Sequence, residues 1–259
     1  MPLVFLANTA WKDAAQLKVT DTADTATTDT TGLENVTGGQ RWHRWTSGAT
    51  ADRRIAYINK SGGMSCTYAV LTRADLHVGH QVMIHSWSNY TSSATTELDT
   101  GTTWAPTLIG ERAQDYVWNL TSNAISSKQA LTMTFLAGTG GNYTKTVGQI
   151  YFSNGLSLSY PGPVQISKLA FPSTYVYDRQ AYLVDEEWQF VVTQMSRAEV
   201  ETFETQYMLQ RRPIFIYDTD GTLIPAKLLH CMIKEFRIVE VFDDFYAIQL
   251  DVVKLRQWA

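Results

Sequence analysis

Cysteine is scarce in this sequence. Two cysteines occur in 259 residues, Cys66 and Cys231, and they lie far apart in the chain. Neither belongs to a C-x-x-C pair, so the spacing excludes a zinc knuckle and a disulfide framework. The sequence therefore predicts two free thiols that are buried or half-buried.

Charge is also low, and neither sign dominates strongly. Charged residues make up 18% of the chain, with 21 Lys and Arg against 25 Asp and Glu, for a formal net charge of −4. Because no basic excess is available to neutralise phosphates, the balance disfavours a dedicated nucleic-acid binder. Hydrophobic residues reach 44%, which is typical of a folded protein.

Long hydrophobic runs are missing. No apolar stretch approaches the roughly 20 residues of a transmembrane helix, so no membrane insertion is expected. The first six residues, Met-Pro-Leu-Val-Phe-Leu, lack a basic segment and a full apolar segment. They predict no signal peptide.

The amino-acid composition of the chain changes near its middle. The first part is rich in Thr, Ser, Gly and Trp, and the second is denser in Glu, Val, Ile, Phe and Tyr. Between them, Pro161 and Pro163 flank Gly162, which predicts a turn because proline does not continue a helix or a central strand. We therefore expect two domains, residues 1–163 and 164–259.

The first part reads as short strands separated by turns. Residues 81–87 and 130–136 alternate polar and apolar side chains, as half-buried strands do. Further strand-like segments are residues 55–58, 66–71 and 148–152. Short strands with turn signals between them favour an antiparallel β-sandwich.

The second part contains one clear helix signal. Ser196 and Glu199 have the spacing of a capping box, and Val200, Phe203 and Tyr207 recur at helical spacing. This predicts a helix over about 196–211. Strands are predicted at residues 165–171, 186–192, 214–217, 228–233, 236–242 and 246–255, with a tight turn at Asp243-Asp244. The fold class is therefore mainly β, with a β-rich α+β C-terminal domain carrying one capped helix.

No catalytic or metal-binding motif stands out. His77, His80 and His85 form the only histidine cluster in the sequence, but residues three apart on a strand face opposite ways, which disfavours a metal site. The aspartates of the Thr-rich segment 20–31 lack the pattern of a calcium loop. The acidic trio of residues 185–187 could supply paired carboxylates for glycoside hydrolysis, although a solvated strand start is the simpler interpretation. We expect no enzyme, no catalytic or metal residues and no cofactor.

Tryptophan offers the best candidates for a binding surface. Trp45 and Trp118 are predicted to lie in the core. Trp87 and Trp104 flank the Ser/Thr-rich residues 88–103 and are predicted to lie on a loop surface. Together with Tyr90, they are the candidate glycan or interface contacts, because exposed aromatic faces stack on sugars and anchor interfaces.

The order of segments in the first part resembles a known family. Trp42-His43-Arg44-Trp45 is followed by the strand at 55–58, then by residues 68–76 leading into 82–87. This order resembles the galactose-binding-like (discoidin-like) jelly roll of many tailed-phage virion proteins. The resemblance implies a jelly-roll sandwich for the N-terminal domain. No ligand set for calcium or sugar matches.

The second part resembles the C-terminal region of distal-tail and minor-tail phage proteins. The resemblance rests on Trp188-Gln189-Phe190, the helix from Ser196, residues 212–217 and the closing strand at 246–252. It implies a virion structural protein of the tail tip or baseplate, found in the virion tail and in host cytoplasm before assembly. Implied partners are copies of itself in a ring and tail tube, hub or baseplate subunits. The alternative is an adhesin that binds a host glycan, and the third hypothesis is a glycoside hydrolase.

Overall fold

The computed structural model describes most of the chain. The described residues are 3–10, 14, 16–20, 33–37, 45–47, 52–59, 61–74, 81–88, 98–99, 114–120, 125–136, 144–158, 161–177, 180–208, 213–224 and 228–255. The described strands are β1 (Leu3–Leu6), β2 (Gln16–Thr20), β3 (Trp45–Thr46), β4 (Arg53–Ile58), β5 (Met64–Cys66), β6 (Tyr68–Ala74), β7 (Gln81–Trp87), β8 (Leu98–Asp99), β9 (Gln114–Asn119), β10 (Ile125–Lys128), β11 (Ala130–Leu136), β12 (Thr146–Val147), β13 (Ile150–Ser153), β14 (Leu156–Leu158), β15 (Pro161–Tyr177), β16 (Gln180–Ser196), β17 (Ile214–Asp218), β18 (Leu228–Phe242) and β19 (Phe245–Leu255). This confirms the mainly β fold class.

The chain divides into two compact units. One is Asn8–Asn154, and the other combines Met1–Ala7 with Gly155–Ala259. The division thus falls after Asn154, and not at residue 163 as the sequence suggests. The first seven residues join the C-terminal unit because β1 pairs with β17 and β14. Sequence patterns indicate local turns, but the pairing of β1 with β17 joins segments about 210 residues apart along the chain. The sequence pattern therefore does not show that β1 belongs to the C-terminal unit.

The unit Asn8–Asn154 is a β-sandwich. Its larger antiparallel sheet has the order β2-β4-β11-β7-β8, and its smaller sheet has the order β13-β6-β9. Alternate residues of the two sheets share one core, in which Tyr57 of the larger sheet meets Phe152 of the smaller one edge to face, with ring centroids 5.2 Å apart. Trp45 is fully buried in this core, as predicted, and Trp118 packs against it partly buried.

The C-terminal unit is built on one antiparallel sheet of seven strands, in the order β14-β1-β17-β18-β19-β16-β15. The first and last strands of this order are β14, ending at Leu158, and β15, starting at Pro161. Three Cα–Cα steps span at most about 11 Å, whereas the ends of a flat seven-stranded sheet lie about 29 Å apart. The sheet must therefore curl round until its two ends come close.

Proline does not interrupt the chain where the sequence predicts a turn. Pro161 begins β15 and is paired with Val192 of β16. The expectation of a turn at residues 161–163 is therefore wrong. The physical reason is position: β15 is the last strand of the sheet, and a first or edge position tolerates a residue with no N–H to donate.

The hairpin β18–β19 also differs from the expected pattern. Two separate strands are predicted at 228–233 and 236–242, but the structure has a single strand of 15 residues. Its pairing with β19 shifts register between Ile233 and Glu235. A β-bulge at this point breaks the period-2 pattern without ending the strand, which is why the sequence reads as two strands.

The predicted helix begins where the capping box places it. Helix α1 is Arg197–Phe203, and one wider turn, Glu204–Met208, continues it. The Ser196 side chain accepts from the Glu199 N–H, and the Glu199 carboxylate accepts from the Ser196 N–H at 2.7 Å. Val200, Phe203 and Tyr207 are buried in the core of this unit. Residues 209–211, the end of the predicted helix, lie outside the described residues.

Removing the cap should cost measurable stability. Ser196→Ala leaves the Glu199 N–H without its side-chain acceptor, and we expect a loss of about 1 kcal/mol in the free energy of unfolding. Urea denaturation of the full chain measures this loss, with Ser196→Thr as the control that keeps a hydroxyl able to accept from the Glu199 N–H and to donate to the Glu199 carboxylate. Equal stability for the alanine and threonine variants would contradict the capping role.

Buried Asp218 organises the turn that follows β17. Its carboxylate accepts backbone N–H groups from Leu223 at 2.6 Å, Ile224 at 2.9 Å and Asp220 at 3.2 Å. Burial alone raises the pKa of this carboxyl, but the backbone hydrogen bonds outweigh it and hold the pKa below its ordinary value. The ionised carboxylate therefore stabilises the fold at neutral pH.

Asp218→Asn should weaken the protein at neutral pH and lose part of its acid sensitivity. Because the folded pKa lies below the unfolded value of about 3.9, the contribution is complete above that pH and is lost as pH falls through the folded pKa. We expect a cost of about 1–3 kcal/mol at pH 7. Urea denaturation at pH 7 and pH 3 measures it. Asp220→Asn is the control, since Asp220 contributes only its backbone N–H. A cost that is the same at both pH values would contradict the assignment.

Candidate assembly surface

The hairpin β18–β19 extends beyond the body of its sheet. Strand β17 pairs with β18 only over Leu228–Cys231. From Met232 to Phe242, within the described chain, β18 pairs with β19 alone. Its other edge therefore presents a row of backbone N–H and C=O groups, and an edge of this kind is a template for another strand.

The tip of this hairpin is apolar and exposed. Asp243 and Asp244 form the turn with φ of 21° and 63°. Around the turn lie the exposed large apolar side chains of the described chain: Val239 (58%), Val241 (65%), Phe242 (68%) and Phe245 (49%). We call Val239–Phe245 the apolar tip. All four lie next to the turn, where β18 shifts register against β19 between Glu240 and Phe242.

The charges of the tip have one sign. From Ile238 to Gln249 the only charged residues are Glu240, Asp243 and Asp244. Three acidic groups beside four exposed apolar ones disfavour contact with an anionic surface, whether a nucleic acid or an acidic membrane. They also disfavour two tips meeting face to face.

The base of the hairpin is anchored. Phe236 contacts Phe203 of α1 with ring centroids 6.5 Å apart, and Ile238 and Tyr246 pack partly buried against the same core. The apolar tip is therefore the end of a supported hairpin. The tip is exposed because the core of the C-terminal unit ends before it, at Phe236, Ile238 and Tyr246.

Within the acidic trio, the described side chains Glu186 and Glu187 do not form a catalytic pair. Glu186 accepts from Lys254 Nζ at 2.9 Å and from Trp188 Nε1 at 3.0 Å, and Glu187 pairs with Lys234 at 2.8 Å. As neighbours on β16, these two glutamates point to opposite faces of the sheet. They do not flank one bond, as the two carboxyl groups of a glycosidase must. The side chain of Asp185 lies outside the described residues.

Glu187 belongs instead to a polar patch on one face of the sheet. Beside its ion pair with Lys234, Gln189 donates to the Asp251 carboxylate at 2.9 Å. With Gln165 these residues line a shallow depression. Within the patch, the carboxylates of Glu187 and Asp251 each accept a hydrogen bond from a neighbouring side chain, so the patch offers no unpaired acidic group.

Trp87 does not lie on a loop surface. It ends strand β7 and is only 7% exposed. Its Nε1 donates to Thr132, and the Arg54 guanidinium sits over the ring, 5.1 Å from its centre. The predicted exposure of Trp87 is therefore wrong, because β7 continues through the residue that the Ser/Thr-rich stretch was expected to expose. Tyr90 and Trp104 lie outside the described residues, so their role stays a prediction.

Other predicted ligands give no cluster in the described chain. His85 lies in β7 and is 8% exposed, while His77, His80 and the aspartates at 21, 24 and 29 are outside the described residues. Within the described ranges, no three His, Cys, Asp or Glu side chains could share a metal ion. None of the described helices is long and apolar enough to cross a membrane.

Both cysteines are free and buried, as predicted. Burial raises the pKa of the Cys66 thiol to about 12 and raises that of Cys231 further. Each thiol is therefore protonated and shielded at neutral pH, and thiolate chemistry is suppressed at both positions. An added surface cysteine can be probed without interference from either.

The apolar tip was missed by the sequence reasoning. The strand and its Asp243-Asp244 turn are predicted correctly, but the exposure of Val239, Val241 and Phe242 is not. A signal was present: Val-Glu-Val-Phe-Asp-Asp-Phe places apolar residues at adjacent positions next to a two-residue turn. Both faces of such a ribbon cannot be covered by one core.

Comparisons with known proteins give no family. No protein-family model and no curated protein matches the sequence. A GH29 fucosidase from Ruminococcus gnavus, solved with fucose, is similar at 10% identity and a TM-score of 0.36, over 57% of this chain and 26% of the fucosidase. An adhesin domain of Lys-gingipain from Porphyromonas gingivalis is similar at 11% identity and a TM-score of 0.31, over 55% of this chain and 94% of that domain. This chain thus spans about a quarter of the fucosidase it matches. Neither similarity is close enough to assign a family.

Proposed function

We propose that this chain is a structural protein of a tailed-bacteriophage virion. It is part of the tail tip or baseplate and works by holding neighbouring proteins, without catalytic turnover. Its sandwich has the galactose-binding-like jelly-roll topology. Its partners are further copies of itself in a ring and the adjoining tail tube, hub or baseplate subunits. It resides in the virion tail, and in host cytoplasm before assembly.

The apolar tip, at the end of a strand edge that has no strand partner among the described residues, is the observation that carries this proposal. Exposed strand edges and clustered exposed apolar residues promote association, and proteins that act as monomers suppress both. Here the chain combines an edge from Met232 to Phe242 with four exposed apolar side chains at its end. A protein whose role is assembly uses both features.

The strand directions of the C-terminal sheet support self-assembly into a ring. Strands β18, β19, β16 and β15 are adjacent in that order, and each pair is antiparallel. Because the four strands alternate in direction, β18 at one edge and β15 at the other run in opposite directions. When copies are related by rotation about an axis along the strands, β15 of one copy therefore meets β18 of the next in antiparallel orientation. Such a head-to-tail contact repeats identically at each junction and gives a ring when the rotation from copy to copy closes.

At the other edge of the four strands, Pro161 and Pro163 have no N–H to donate, so pairing with a neighbouring strand would begin from Val164 onward. Strand β15 is last in the sheet order, and within the described chain it pairs with β16 alone. Two different edges of one sheet can pair with each other between copies, which is the requirement for a heterologous interface. The low charge of the chain suits a large permanent interface.

Immunogold electron microscopy of particles pelleted from the source culture tests the virion location. An antibody raised against the full chain should place gold at one end of the tail. Blocking the antibody with purified chain is the control. Gold that is absent from particles, while the same culture contains the chain by immunoblot, would contradict the proposal.

A further inference from the structure

We infer that the side chains of Asn8 and Thr9 form an autoinhibitory contact that closes the β13 edge of the sandwich to strand addition. Strand β13 is an end strand: the order of its sheet is β13-β6-β9, and within the described chain it pairs with β6 alone. The outer edge of such a strand is a template for a strand from another molecule. The inference concerns the sandwich and goes beyond the proposed ring, which uses the C-terminal sheet.

The backbone groups at the outer edge of β13 belong to Ile150 and Phe152. Next to them, Gln149 directs its carbonyl toward β6, where it accepts the N–H of Thr72 at 2.9 Å. Backbone groups alternate in direction along an antiparallel strand. The N–H and C=O groups of Ile150 and Phe152 therefore point away from β6, to the side on which a further strand would be added.

The side chains of Asn8 and Thr9 already bond to this edge. Asn8 Nδ2 donates to the Ile150 carbonyl at 3.3 Å, and Asn8 Oδ1 accepts from the Phe152 N–H at 3.4 Å. Thr9 Oγ1 donates to the Phe152 carbonyl at 3.4 Å and accepts from the N–H of Asn154, just after β13, at 2.8 Å. A carboxamide and a hydroxyl thus take the place that the backbone of an added strand would occupy.

The contact is buried. Asn8 is 8% exposed and Thr9 is 7% exposed. Asn8 Nδ2 also lies 3.3 Å from the hydroxyl of buried Tyr57, which donates to the same Ile150 carbonyl. A strand from another molecule can pair with Ile150 and Phe152 only after these hydrogen bonds break. The edge is therefore occupied by the fold of the chain itself.

Replacing Asn8 by leucine and Thr9 by valine tests this contact, because both substitutions nearly keep the side-chain shape and remove the polar atoms. The substitutions are placed in a chain that also carries Val241→Asp and Phe242→Asp, so that contacts through the apolar tip do not mask a new one. Amide exchange followed by NMR should become about tenfold faster at Phe152 and Asn154. Sedimentation velocity should show stronger association than in the tip variant alone.

Two control variants separate the exposed edge from a general loss of structure. Thr9→Ser keeps the hydroxyl and should leave both the exchange of Asn154 and the association unchanged. Asn8→Lys with Thr9→Val removes the polar atoms that bond to β13 but places a positive charge beside the edge. Because such a charge opposes strand addition, this variant should not associate more strongly than the tip variant.

The two measurements can each overturn the inference. Unchanged exchange at Asn154 would show that Thr9 does not cover the edge, and faster exchange without added association would refute the autoinhibitory role. If the double variant does not fold, Thr9→Val alone gives the same two readings. Sedimentation of the parent chain tests the ring separately, since a monomeric parent refutes the ring and leaves the comparison among these variants intact.

Discussion

Replacing Val241 and Phe242 together by aspartate is expected to convert assembled protein to monomers while leaving each chain folded. The two side chains are 65% and 68% exposed, so within one copy they contribute little to folding. We expect the free energy of unfolding to change by less than about 0.5 kcal/mol. Burial in a neighbouring copy would make each worth about 1.5–3 kcal/mol, so the double variant should weaken association at least about 100-fold.

Sedimentation velocity over a range of concentrations measures this effect, with urea denaturation to confirm folding. Arg197→Asp is the matched control, because it also lowers the net charge by two. Arg197 is exposed on helix α1 and makes only an exposed ion pair with Glu201. The control should assemble as the parent does. Association that survives in the tip variant, or is lost equally in the control, would show that the tip is not the contact.

Phe5→Ala should destabilise the C-terminal unit strongly, although Phe5 lies at the opposite end of the sequence. Phe5 is fully buried and meets Phe203 and Tyr207 edge to face at 5.7 and 6.0 Å. Its carbonyl accepts from the Tyr207 hydroxyl at 2.6 Å. Removing a buried phenyl ring costs about 3–5 kcal/mol. Hydrogen exchange measured by mass spectrometry should show faster exchange in β16, α1 and β17.

Phe152→Ala is the matched control for the sandwich. Phe152 is also fully buried and makes an edge-to-face contact with Tyr57. It should accelerate exchange in β4, β11 and β13. Each substitution should act first on its own unit. Faster exchange in β4 and β11 from Phe5→Ala, with β17 protected as in the parent, would contradict the assignment of β1 to the C-terminal unit.

Local patterns in the sequence predict the bounds of some elements well. Strands β7 and β11 match the predicted bounds, although the prediction of half-buried strands is wrong for β11, which is buried from Ala130 to Phe135. The start of α1 is found from Ser196 and Glu199 because a capping box acts over four residues. In each case the physical cause lies within the element itself.

The pairing of strands that lie far apart in the chain could not be predicted from the sequence. Strand β1 joins a sheet formed mainly by residues after 155, and no local pattern records that choice. Pro161 illustrates the same limit: proline ends a central strand but is tolerated at the edge position that topology gives it. The domain boundary at 163 differs from the structure for both reasons.

The candidate site was only partly predictable. Aromatic residues near the Ser/Thr-rich stretch draw attention to Trp87, but its exposure depends on what packs over β7. The tip is visible in the sequence as a strand and a turn, and its exposure depends on where the core of the C-terminal unit ends. Exposure is a tertiary property, so a surface of this kind is found from packing and not from residue type.

We propose that copies of this chain assemble through the C-terminal sheet. Negative-stain electron microscopy of the purified full chain, with sedimentation on the same sample, tests this assembly. We expect closed rings of uniform size that are lost in the Val241→Asp, Phe242→Asp variant. A parent chain that sediments as a monomer at concentrations up to tens of micromolar, with no rings in the images, would contradict it.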